Sequence, residues 1–143
     1  MVASGIVIVP VVVMGLILAF LEMIFIHQDE AGLGWLKHGL HAIPTMFVFI
    51  FISMNVPLVE SMLGISDKMW IVISIRVVIG LVAIVKIKAA AAVAGRVGEN
   101  WPHVLIIGAL VIAAPFIWDI IAANVCNAVP MLKNIAGSGC PTK

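Results

Sequence analysis

Four stretches of this sequence are apolar for long enough to cross a membrane, and that feature limits the fold more than any other. They run from about Gly5 to Ile26, Ile43 to Leu63, Met69 to Lys88 (apolar to about Val85) and His103 to Val125. A helix rises about 1.5 Å per residue, so stretches of this length match a hydrocarbon layer of about 30 Å. Inside such a layer every backbone N–H and C=O needs a partner from the protein, which leaves helices or closed barrels. Barrel strands show alternating polarity over about ten residues. These stretches are continuously apolar instead. The expected fold is therefore an all-α integral membrane protein: one domain over residues 1–143, a bundle of four transmembrane helices, and a short tail over 126–143.

Composition excludes a water-soluble alternative. The chain is 64% hydrophobic and 10% charged, with a mean hydropathy of +1.26. Soluble domains run at about 45–50% apolar and about 25% charged, and a chain this short cannot bury the difference. Trp35, Trp70 and Trp101 stand at segment ends, and Trp118 lies one to two turns before the end of the last. Tryptophan favours the membrane–water interface, where its ring is in oil and its N–H is wet. The first lysine or arginine is Lys37. A secretory signal needs a basic start and a small-residue cleavage site, so the first stretch reads as a retained span. No long basic run is present, which argues against nucleic acid as a partner.

Four spans put both termini on one side. The loop between spans one and two carries Lys37, and the loop between three and four carries Lys86, Lys88 and Arg96. The opposite side carries Lys68, Lys133 and Lys143. Basic loops stay inside, so both termini are expected on the outer side. Cys126 and Cys140 are the only cysteines and share the tail. A disulfide between them would fit an oxidising compartment; free thiols in a cytosolic tail are the alternative.

Three proline residues, Pro10, Pro57 and Pro115, fall within the expected spans and predict kinks. So do three polar side chains. Arg76 lies eight residues beyond Lys68, and Asp119 seven before Cys126. Those spacings correspond to about 12 and about 10 Å along their helices. Asn55 falls at a similar depth. A lone charge there costs several kcal/mol, so an Arg76–Asp119 pair with hydrogen bonds from Asn55 is expected. It serves as an interhelical clamp on one reading, and as a gate, ion path or docking point on another.

A second polar set surrounds the first loop: Glu22, His27, Asp29, Glu30, His38 and His41. Glu22 and Asp29 are seven apart and share a helical face if the helix reaches that far; His38 and His41 are three apart. Glu22, His27, His38 and His41 are side chains that could hold a divalent metal such as zinc or copper, or relay protons. A polar loop that meets headgroups or a partner is the plainer reading. The sequence has no HExxH, CxxC, phosphate-binding glycine loop or nucleophile elbow, so the chain is not expected to be catalytic by itself. Small residues, among them Ala91, Gly95, Gly108, Ala113 and Ala114, are placed for close helix packing.

The stretch HQDEAGLGWLKHGLHAIPTMFVFIFISMNVP, under a quarter of the chain, resembles small archaeal membrane proteins, among them accessory subunits of archaeal ammonia monooxygenase. That resemblance implies a subunit packed around larger copper-bearing chains and supplying no catalytic residue. The expected function is a non-catalytic subunit of a larger membrane complex, with lipid and other membrane subunits or further copies of itself as partners. The alternative is a self-associating ion or metal channel or carrier.

Overall fold

The computed structural model describes residues 5–29, 34–65, 68–93, 100–135 and 137–141. Every element among them is helical: α1 (Val9–Asp29), α2 (Gly34–Met54), α3 (Val56–Leu63), α4 (Met69–Val93), α5 (Trp101–Ala128) and a 3-10 turn (Pro130–Asn134). Three helices are each long and apolar enough to cross a membrane, and α2 with α3 makes a fourth if the bent pair is one span.

Helix α1 is apolar all round from Val9 to Leu21. On α1 the buried stripe is Val11, Met14, Leu18, Glu22 and Ile26, at steps of three and four. Its opposite face carries Val12, Leu16, Phe20 and Ile24, all exposed. A helix apolar all round belongs in a protein core or in lipid, and here half of the α1 span is covered by the bundle. The helices pack chiefly as two hairpins, α1 on α2 and α4 on α5, and α5 also touches α1 and α2. Leu18, Ile50, Ile107 and Val111 fill the centre. Ser53 secures α2 to α5 by donating to the Val111 carbonyl at 2.7 Å.

Helices α4 and α5 meet through glycine. A Cβ on Gly80 would lie 3.0 Å from the Gly108 carbonyl oxygen and against Ile112; one on Gly108 would lie 3.2 Å from the Gly80 oxygen and against Ile84. The sequence reading had picked out Gly108 but not its partner Gly80. Gly108→Val is expected to lower stability by about 1–3 kcal/mol through overpacking, read as a lower unfolding temperature in mild detergent.

Three boundaries differ from the sequence expectation. Residues 5–8 lie outside any helix and α1 begins at Val9. Pro10 is therefore in the first turn, where its missing N–H breaks nothing, and it causes no kink. Helix α2 begins at Gly34, so much of the expected first loop is helix, and Pro44 lies inside it. The expected span over 43–63 is not straight: α2 and α3 meet at 72°. The break falls at Asn55, with Pro57 in the first turn of α3. Gly64, at φ 64°, ends α3 in the left-handed conformation that glycine adopts freely. Helix α4 continues past Lys88 to Val93; Gly95 and Arg96 lie outside the described residues.

The two ends of the chain meet. Ile8 N–H donates to the Gly137 carbonyl at 3.0 Å, and Trp118 Nε1 donates to the Gly139 carbonyl at 3.1 Å. Gly137 has φ +69° and faces the Ile6 backbone where a Cβ would go. Cys126 and Cys140 are joined by a disulfide, which pins the tail beside the end of α5. Their separation is 14 residues, and closing a loop of about 15 residues contributes about 3 kcal/mol in the chain-entropy account. Cys140→Ser is expected to lose a stabilisation of that order, measured by thermal unfolding beside reduced wild-type protein, which should behave alike.

Candidate functional site

Helix α1 carries Glu22 and Asp29 two turns apart, so both project from one face. That face meets the first turn of α5, where Pro102 starts the helix and His103 follows it. The imidazole reaches both acids. Its Nε2 lies 3.0 Å from Glu22 Oε2 and its Nδ1 2.9 Å from Asp29 Oδ2. The side chains of His103 and Glu22 are 4% and 3% exposed, and that of Asp29 13%. The Phe25 ring lies 4.9 Å from the imidazole and covers it from α1.

Asp29 is held from a second direction. Asn100, just before α5, donates from Nδ2 to Asp29 Oδ1 at 2.6 Å and from its backbone N–H to Oδ2 at 3.3 Å. Asp29 thus occupies the start of α5, where unpaired N–H groups and the helix dipole favour an anion. The four residues join the end of one helix to the beginning of another through charge-assisted bonds, which are shorter and stronger than neutral ones. Their seclusion suits holding charge or a proton rather than admitting a substrate.

The sequence-predicted site residues are distributed differently. Glu22 turns to His103, not to His27, whose ring meets Trp35 edge-on at 4.8 Å. The side chains of His38 and His41, like Glu30, lie outside the described residues. Among the described residues no group of three or more His, Cys, Asp or Glu side chains is placed to hold a metal ion. The shared face of Glu22 and Asp29 was visible in their spacing. His103 was read only as the start of a span. The signal that could have found it is the pairing of two acids at the end of one apolar segment with a histidine at the start of another.

The structure does not bring Asn55 together with Arg76 and Asp119. Asn55 sits at the α2–α3 break and turns to the N-terminal segment. Its Oδ1 accepts from Val7 N–H at 2.7 Å, and its Nδ2 donates to the carbonyls of Phe51 at 2.9 Å and Val7 at 3.3 Å. Arg76 stacks over the Phe116 ring, 5.1 Å from its centroid. It feels the charges of Asp119 and Glu60, yet neither carboxylate forms an ion pair with it among the described residues. Glu60 was not singled out from sequence. The bend at Asn55 carries it to α4 and buries it, leaving its Oε1 and the Arg76 Nε without hydrogen-bond partners.

No family model, no curated protein and no solved structure matches this chain.

Proposed function

We propose that this chain is a non-catalytic subunit of a larger membrane protein assembly. The observation that carries the reading is Arg76. It lies on α4, the least covered span, of which 17% is buried in the bundle against 50% for α1. Lipid tails suffice for the apolar part of that face. They offer nothing to the partly exposed, charged guanidinium of Arg76, about 10 Å into the helix. A polar group from a neighbouring chain does. Beyond Arg76 the same helix presents a shallow apolar groove of about 470 Å³, lined by Val78, Leu81, Val82, Val85, Lys86 and Ala89. This is the spacing of one helix face, and Val78, Leu81, Val82 and Val85 are exposed on it. In this reading both termini and the disulfide-pinned tail face outward, and the faint resemblance of the first loop and second span to accessory subunits of archaeal ammonia monooxygenase suggests a copper monooxygenase as one such assembly.

Blue-native electrophoresis after mild detergent extraction tests it. The chain should migrate well above its 15.2 kDa together with other membrane proteins. A sharp band of the lone protomer would overturn the proposal.

A second reading, a self-associating ion or metal carrier, is favoured by one observation: two carboxylates, Glu60 and Asp119, act on the single cation Arg76. The surplus negative charge would suit a cation path. Reconstituted vesicles should then show cation flux that Asp119→Asn abolishes, and silent wild-type vesicles would remove the reading.

A further inference from the structure

The two ring nitrogens of His103 face two different carboxylates, at 2.9 and 3.0 Å. A neutral imidazole has one N–H and one lone pair, and an ionised carboxylate only accepts. Both contacts are hydrogen bonds only when the three groups hold one proton beyond a neutral ring and two carboxylates. Asp29, whose Oδ1 and Oδ2 also accept from the Asn100 side chain and backbone, is the carboxylate better stabilised in its ionised form. Nδ1–H therefore donates to Asp29, and the extra proton lies between His103 Nε2 and Glu22 Oε2. Without it, a ring lone pair would face a carboxylate oxygen inside a nearly dry junction, which is repulsive.

We propose that Glu22 and His103 form a proton-binding site, with Asp29 as the positioning residue that fixes the ring's orientation. The site makes the junction of α1 and α5 a protonation-dependent latch, closed with the proton bound and opened by its loss. This does not depend on the subunit reading. Among the described residues, the charged groups around the site come from three elements. Glu22 and Asp29 belong to α1 and His103 to α5. Lys88 of α4 lies at the same end of the bundle, 4.6 Å from the Trp101 ring. From α2 comes Trp35, which engages His27.

The test uses the full chain with isotope-labelled histidine in lipid bilayers at about pH 8, above the ordinary imidazole range near about 6.5. Solid-state NMR reads the ring nitrogens, and His103→Gln identifies the resonance. Infrared spectroscopy reads carboxylic acid C=O stretching. The expected result is either a His103 ring protonated at both nitrogens or a protonated carboxyl that disappears in Glu22→Gln. In that variant the amide N–H can itself donate to Nε2, so the ring should become neutral with Nδ1–H retained. A neutral His103 beside an ionised Glu22 in the wild type would overturn the proposal, as would a metal ion bound at Nε2. So would a His103 ring that is protonated at both nitrogens in the wild type and remains so in a folded Glu22→Gln protein. If that variant does not fold, the wild-type spectra decide.

Discussion

His103→Leu is expected to lower stability by about 3–5 kcal/mol, the cost of leaving a buried charge without its partner. Leucine fills a similar volume but presents no N–H. Glu22, 3% exposed at its side chain, would keep its position on the buried face of α1 with its main donor gone. Asp29 would retain Asn100 and suffer less. The effect should appear as a large fall in unfolding temperature in mild detergent and reduced yield from membranes. A double variant, Glu22→Leu with His103→Leu, separates the explanations. Buried ion pairs replaced on both sides by apolar groups are often no less stable than the original, so the double variant should unfold at a higher temperature than His103→Leu alone. If the single variant melts with the wild type, the junction does not hold α1 to α5. Exposed polar contacts, such as that of Lys133 with Asn127, should matter little by comparison.

The apolar segments were legible because hydrophobicity and length are local properties, and oil leaves the backbone few alternatives. Depth was legible in the same way. Arg76, Asn55 and Asp119 could be placed along their helices by counting residues. Depth does not fix the direction in which a side chain points, and that is where the expected cluster parted. Asn55 faces Val7 because the segment before α1 has an N–H and a C=O that no helix satisfies. The bend at Asn55 then decides where Glu60 goes. Glu22 and Asp29 could be assigned to one face from their spacing alone. Their partner His103 is 81 residues from Glu22, and no local pattern connects residues that far apart. The cysteine pair needed no such long-range knowledge, since both members lie in one short stretch.

Asn55→Leu should release the N-terminal segment while leaving the rest of the bundle in place. The native side chain forms three hydrogen bonds from a nearly fully buried position, two of them to Val7. Leucine is close in size and can make none. The Val7 N–H and C=O and the Phe51 carbonyl would then lack this partner, and a buried polar group left unsatisfied costs about 1–3 kcal/mol. The Val7 segment can escape much of that cost by leaving the bundle for water, and the Phe51 carbonyl still accepts from the backbone N–H of residue 55. The prediction is therefore local: faster hydrogen exchange at Val7 and at Ile8, whose N–H is bonded to Gly137, with protection in α5 unchanged. Asn55→Asp should fall between the two proteins, because it keeps the acceptor for Val7 N–H and loses both donors. Were Val7 equally protected in Asn55→Leu and wild type, the contact would be a consequence of the tail's docking through Gly137 rather than its cause. Thermal unfolding should agree in direction, with Asn55→Leu less affected than His103→Leu, since the groups it strands are neutral and one of them has somewhere else to go.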